Sequence, residues 1–195
     1  MTYFFSILLF FSCVTVVFSQ SVVIDCDYSP VEAIHHPKFP KEIVTTQELV
    51  TVQYYSFDKI LHQGQLVIHK DLVNDVKEVF EIIKEQQFPI QSVIPIVKFQ
   101  WSDAASIKVN NTSAFNYRTI AGTKRISDHA YGRAIDINPF LNPWIGRGKS
   151  RRSYNPSVEG TLTSNCIVVK EFKKRGWKWG GDWKSSKDYQ HFSKK

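Results

Sequence analysis

The stretch from Ser127 to Asn138 constrains this chain more than any other. It reads Ser-Asp-His-Ala-Tyr-Gly-Arg-Ala-Ile-Asp-Ile-Asn. His129 and Asp136 are two metal-ligand side chains seven positions apart, with the small residues Gly132 and Ala134 between them. The run Ala134-Ile135-Asp136-Ile137 alternates as a strand with one buried face does. In such a strand Ile135 and Ile137 face one way, and Ala134, Asp136 and Asn138 the other. An acid fixed on a strand, with a histidine just upstream, is half of a metal site.

The other half lies at the end of the chain, where Asp188-Tyr189-Gln190-His191-Phe192 supplies a second histidine and a further acid. His129, Asp136 and His191 together make the three-ligand set of a catalytic zinc site, which leaves one position for water. Asp188 then remains free as a general base and, later in the reaction, a general acid. Arg118 closes an aromatic-flanked run just before the first ligand. A guanidinium there either grips a substrate carboxylate through paired hydrogen bonds or makes an ordinary surface ion pair, and the residues leave both open.

The rest of the chain frames this set. Its 195 residues suit one domain with a short extension, and 43% hydrophobic with 14% aromatic content is enough for a core. Met1–Ser19 carries no charged side chain and ends Val17-Phe18-Ser19, as a signal peptide cleaved before Gln20 does. A retained anchor is the competing reading. Export makes a secreted, periplasmic or cell-envelope location the expectation. Beyond residue 19 two cysteines remain, Cys26 and Cys166, and an even count in an exported chain suggests a disulfide, with two buried free thiols as the alternative. Residues 20–48, with three prolines and the adjacent His35 and His36, read as an irregular arm, and 49–195 as the catalytic domain. Strands are expected over Leu49–Phe57, Gln65–His69 and Ser92–Phe99. One helix should be capped by Asp71 and stop before Phe88-Pro89. A second should run from a Thr163 or Ser164 cap to Arg175, with Gly176 as its stop. Asn110 and Asn111 each open an N-glycosylation sequon.

Charge is uneven. From Leu141 onward 13 Lys and Arg stand against four Asp and Glu, so +9 sits there and −2 in the remainder, for a net +7. Such a face suits an anionic wall polymer or is simply solvated. No nucleic-acid motif accompanies it, and a monomer is expected.

Taken together, Ser127-x-His129-x-x-Gly132-x-Ala134-x-Asp136, the segment Asn110–Arg118, Trp179-Gly180-Gly181-Asp182-Trp183 and Asp188-x-x-His191-Phe192 resemble the D-alanyl-D-alanine carboxypeptidase family of zinc peptidases. That family includes vancomycin-resistance carboxypeptidases and dipeptidases and L-alanyl-D-glutamate endopeptidases. The resemblance implies an α+β fold of the Hedgehog/DD-peptidase kind, with helices packed on a small, mainly antiparallel sheet that carries Zn2+. It implies His129, Asp136 and His191 as ligands, Asp188 as acid/base, Arg118 as the group that binds substrate and polarises its carbonyl, and Ser127 as a substrate contact. The implied substrate is the peptide part of peptidoglycan, cut at a terminal D-Ala-D-Ala. Cleavage between L-Ala and D-Glu, and a non-catalytic wall-binding or signalling module, are the alternatives. The chain departs from the family at Ser193, where an acid often follows the His-Phe pair.

Overall fold

The computed structural model describes residues 21–146 and 153–195. The expected signal segment and the Arg147–Arg152 charge run lie outside them. A short strand, β1 (Val23–Ile24), opens the described chain. Two short helices follow, α1 (Pro30–Ile34) and α2 (Lys41–Val44), so the segment expected to be irregular carries secondary structure. The first helix starts because Ser29 and Glu32 form a reciprocal capping box and Pro30 occupies the first turn.

The long hairpin is β2 (Gln47–Tyr55) and β3 (Leu61–His69), antiparallel in register from Gln47↔His69 to Tyr55↔Leu61. Both strands start from the expected apolar runs. The second extends to Leu61, because the turn is only Ser56–Ile60, closed by Ser56 N–H to the Ile60 carbonyl (3.1 Å) and by Asp58 accepting from Ile60 N–H (2.9 Å). With β1 parallel on its far side, β3 is the central strand, and it is buried along most of its length. Ala33, Ile34 and Phe115 gather with Val67 on one face of this sheet. Helix α3 (Val73–Glu85) covers the other with Val76, Val79, Phe80 and Ile83.

Asp71 does not cap that helix. Its carboxylate pairs with Arg133 (2.7 Å), while the His69 ring accepts the Asp71 N–H (3.2 Å) and starts a 3-10 turn over Lys70–Leu72. The helix stops where expected, through Phe88 N–H to the Ile83 carbonyl (3.0 Å). The expected strand at Ser92–Phe99 shrinks to β4 (Ser92–Val93), because Pro95 begins a 3-10 turn over Ile96–Phe99. Helix α4 (Asp103–Lys108) and strand β5 (Asn111–Thr112) follow, the latter parallel to β4. Both sequon asparagines are buried structural groups. Asn111 bonds Ser92, the Ile94 N–H and carbonyl, and Ser106, and Asn110 accepts from Phe140 and Leu141 N–H.

The strand expected over Ala134–Ile137 forms as β6 (Ala134–Asp136), one residue shorter, and β7 (Trp144–Ile145) follows. Asn138 and Asn142 brace the loop behind β6. Asn138 donates to the Pro89 and Gly160 carbonyls, and Asn142 accepts from Leu162 N–H (2.7 Å). Helix α5 (Ile167–Lys174) begins later than expected, with Cys166 at its cap, and ends at Gly176, whose φ is 82°. The remaining strands are β8 (Lys178–Trp179), β9 (Lys187–Asp188) and β10 (His191–Ser193).

Strand β10 lies between β6 and β8 and is antiparallel to both. Ile135 and Phe192, directly opposite one another, point into the main core, where Phe192 stacks on Phe172 at 4.4 Å. Fully burying a side chain of this size is worth roughly 1.5–3 kcal/mol, so one face of the small sheet is anchored and the other is left for chemistry. The architecture is α+β with small sheets and few helices. The expected Cys26–Cys166 bridge is not formed. Cys26 Sγ sits on the Val93 carbonyl (3.7 Å), Cys166 packs at the start of α5 against the main core, and both are free thiols. Burial pushes the Cys26 thiol up to about 11. Among the described residues no helix is long and apolar enough to cross a membrane.

Candidate metal centre

Two ligands meet through strand register. His191 on β10 stands directly opposite Asp136 on β6. Opposite residues of an antiparallel pair project to the same face, and here His191 Nδ1 lies 3.0 Å from Asp136 Oδ1. The third comes from a 3-10 turn over Asp128–Tyr131, which brings His129 Nε2 to 3.2 Å from both Asp136 Oδ1 and His191 Nδ1. Among the described residues these three form the one group able to hold a metal ion. A tetrahedral zinc with bonds of about 2.0–2.1 Å needs ligand atoms about 3.3–3.4 Å apart, so the set fits.

The ring of His129 is oriented for the task. Its Nδ1–H donates to the Ala114 carbonyl (2.6 Å), which leaves Nε2 bare for a cation. All three residues are buried. Burial pushes the Asp136 carboxyl up, but the attraction of His129 and His191 outweighs it and holds the group far below the carboxylate range. Burial likewise opposes charge on His129, and Asp136 outweighs it.

The turn that carries His129 depends on its two ends. Ser127 caps it, its hydroxyl accepting the His129 N–H (3.3 Å). Ser127 is buried, and its visible work is to fix the backbone of a ligand. Gly132 ends the turn at φ 63°, and a Cβ there would meet Gln47 Oε1 at 1.9 Å and the His69 backbone nitrogen at 2.7 Å.

Asp188 sits on β9 beside this centre, partly exposed. Burial raises its carboxyl to about 6, and the charge of Asp136 adds to the rise, while His191, Gln190 and His129 oppose it. Gln190 donates to it from Nε2 (3.1 Å). Arg118 lies near enough to His129 to oppose its protonation. Its Nε is ion-paired with Asp103 without making a hydrogen bond, and Nη1 reaches the Thr119 carbonyl (3.4 Å). Asp103 also accepts from Asn116 (2.6 Å), so the arginine is tethered from α4.

Two exposed indoles stand at the site, and sequence reasoning assigned no role to one of them, Trp144. Trp144 stands opposite Asp188 in the β7–β9 pair and is half exposed. Trp183 lies 5.6 Å from the His191 ring, while Trp177 and Trp179 are core. The register of two-residue strands leaves no periodic trace, so Trp144 had no signal to find it by. Gly180 belongs to the site for a steric reason, since a Cβ there would come within 2.4 Å of the Asp188 carbonyl oxygen.

No solved structure matches the chain. The family model described as D-alanyl-D-alanine carboxypeptidase matches residues 121–194, which hold all three candidate ligands and Asp188, so over this stretch the chain is similar to that family of zinc peptidases.

Proposed function

We propose that this protein is a zinc-dependent peptidase that hydrolyses bonds next to D-amino acids in peptidoglycan stem peptides, with a terminal D-Ala-D-Ala as its substrate. The observation that carries this reading is the convergence of His129, Asp136 and His191 with a non-ligand acid beside them. A structural or binding zinc site has no use for Asp188, whereas hydrolysis needs a group to accept and return a proton.

A zinc ion held by the three residues would supply Lewis acidity toward a carbonyl and allow water to act as a nucleophile near neutral pH. Asp188 takes the proton that the attacking water loses as its oxygen bonds to the scissile carbon. The same carboxyl returns that proton to the amide nitrogen as the C–N bond breaks, so a free amine leaves. A group poised at about 6 is suited to both directions of transfer. Arg118, held at Nε by Asp103, offers its outer donors to the carbonyl oxygen as negative charge develops there, or to the terminal carboxylate of the peptide. Trp144 and Trp183 flank the approach and give the peptide apolar surface.

Cleavage of a signal peptide over residues 1–19 would place the protein where this substrate is, in the cell envelope or outside the cell. The basic C-terminal third would then face anionic wall polymer. Residues 49–195 would act as one catalytic domain, with the small antiparallel sheet taking the place it has in the Hedgehog/DD-peptidase fold.

Mass spectrometry of defined stem peptides after incubation with zinc-loaded protein tests the reading. Loss of one terminal D-alanine is expected. Scission between L-Ala and D-Glu would move the protein to the endopeptidase alternative. Intact peptides in the presence of bound zinc would overturn the hydrolytic reading.

A further inference from the structure

Gln190 immediately precedes the ligand His191, and its chemistry is not that of a spacer. It is 8% exposed, deeper than the carboxylate it serves. Its Nε2 donates to Asp188 Oδ1 at 3.1 Å, the side-chain hydrogen bond that Asp188 makes among the described residues. Its backbone carbonyl accepts the Ile137 N–H (3.0 Å), one residue beyond the ligand Asp136. The residue is thus fixed to β6 by its backbone and to Asp188 by its amide.

The other end of the amide is informative. Gln190 Oε1 is buried and makes no hydrogen bond. A buried acceptor without a partner is unfavourable and calls for a cause. Turning the amide over would set Oε1 against the Asp188 carboxylate, oxygen to oxygen, and would lose the Nε2 contact. The side chain therefore keeps the orientation that serves Asp188 at the expense of its own oxygen. Gly180 completes the clamp, because its missing Cβ leaves room for the Asp188 backbone and Cβ.

We propose that Gln190 is a positioning residue that holds the Asp188 carboxylate in a single orientation beside the metal centre. The proposal rests on the acid/base role given to Asp188 above. Gln190 itself touches no reacting atom.

The test uses the zinc-loaded full chain and the variant Gln190→Met, which keeps side-chain length and removes the donor. Three-bond couplings from the Asp188 carboxyl carbon to its backbone nitrogen and carbonyl carbon report the χ1 rotamer without any turnover. Wild type is expected to show one rotamer and Gln190→Met an average, with the zinc:protein ratio unchanged. On the stem peptide, kcat should fall about tenfold to a hundredfold, the range for losing a hydrogen bond to a charged group, with KM within about twofold. Should Gln190→Met lose zinc or fail to fold, Gln190→Glu takes its place, since it keeps the shape and replaces the donor with an acceptor. Couplings that stay at a single rotamer in the folded variant overturn the positioning role, whatever the activity. A shift in rotamer with no turnover by wild type on any stem peptide leaves that role standing and removes the hydrolytic function instead.

Discussion

Replacing Gly132 with alanine should injure the metal centre through the backbone alone. The residue sits at φ 63°, where an L-side chain costs about 1–2 kcal/mol. The added Cβ would lie 1.9 Å from Gln47 Oε1 and 2.7 Å from the His69 nitrogen. The glutamine tip can swing away, but the His69 nitrogen belongs to the end of β3 and cannot. That nitrogen also donates to the Gly132 carbonyl (2.9 Å), a bond worth about 0.5–1.5 kcal/mol that would be stretched or lost. The two terms total about 1.5–3.5 kcal/mol, which for a chain of this size lowers Tm by about 3–14 °C. Since Gly132 N–H bonds the His129 carbonyl (3.0 Å), the displaced turn carries the ligand with it. Zinc affinity, read by competition with a chromophoric chelator, should fall about tenfold or more, as when a ligand loses its supporting contacts. Gly122→Ala is the control. Its φ is 74° and nothing lies within 4 Å of the added Cβ, so it carries the conformational cost alone. A Gly132→Ala protein with the Tm of Gly122→Ala and unchanged zinc affinity would refute the close-approach reasoning.

Three further outcomes are expected. Asp188→Asn should keep about one zinc per chain by elemental analysis while kcat falls about 10²–10⁴-fold, whereas His191→Ala should lose the metal; full turnover by the asparagine variant would remove Asp188 from the mechanism. His62 is held between Asp25 (2.9 Å) and Asp58 (3.1 Å); burial opposes its charge, but the two carboxylates raise it above the ordinary histidine value. The stabilisation is then fully present below about pH 6.5 and is lost as pH rises through the folded value, so denaturant midpoints should decline above neutrality in wild type and flatten in His62→Gln. Trp144→Ala should raise KM about twofold to tenfold, the equivalent of an aromatic contact of about 0.5–1.5 kcal/mol, with zinc content unchanged; an unaltered KM would place the indole outside the substrate path.

The ligand set could be read from the chain because metal chemistry restricts residue type. Two imidazoles and a carboxylate attached to an alternating strand leave few other uses, and His129, Asp136 and His191 do converge. The end of helix α3 was legible from Phe88-Pro89, and the end of α5 from Gly176. Their starts were misread. A cap depends on which partner competes for the side chain, and Arg133, remote in sequence, takes Asp71 away from the helix. Arg118 could not be assigned for the same reason, since its tether Asp103 lies on a helix too short to show a period. The expected Cys26–Cys166 bridge failed because an even count fixes pairing chemistry but not distance.

What the sequence determined by itself is therefore the local chemistry: which side chains can bind a cation, which segments have one apolar face, and where glycine must end a turn. Tertiary structure decided everything that depends on register. The pairing of β6 with β10 sets Asp136 against His191, and the pairing of β7 with β9 sets Trp144 against Asp188. A shift of one residue in either pair would turn those side chains to the opposite face. Strands of two or three residues carry too little pattern to specify that register, so the packing of Ile135 and Phe192 into the core has to supply it.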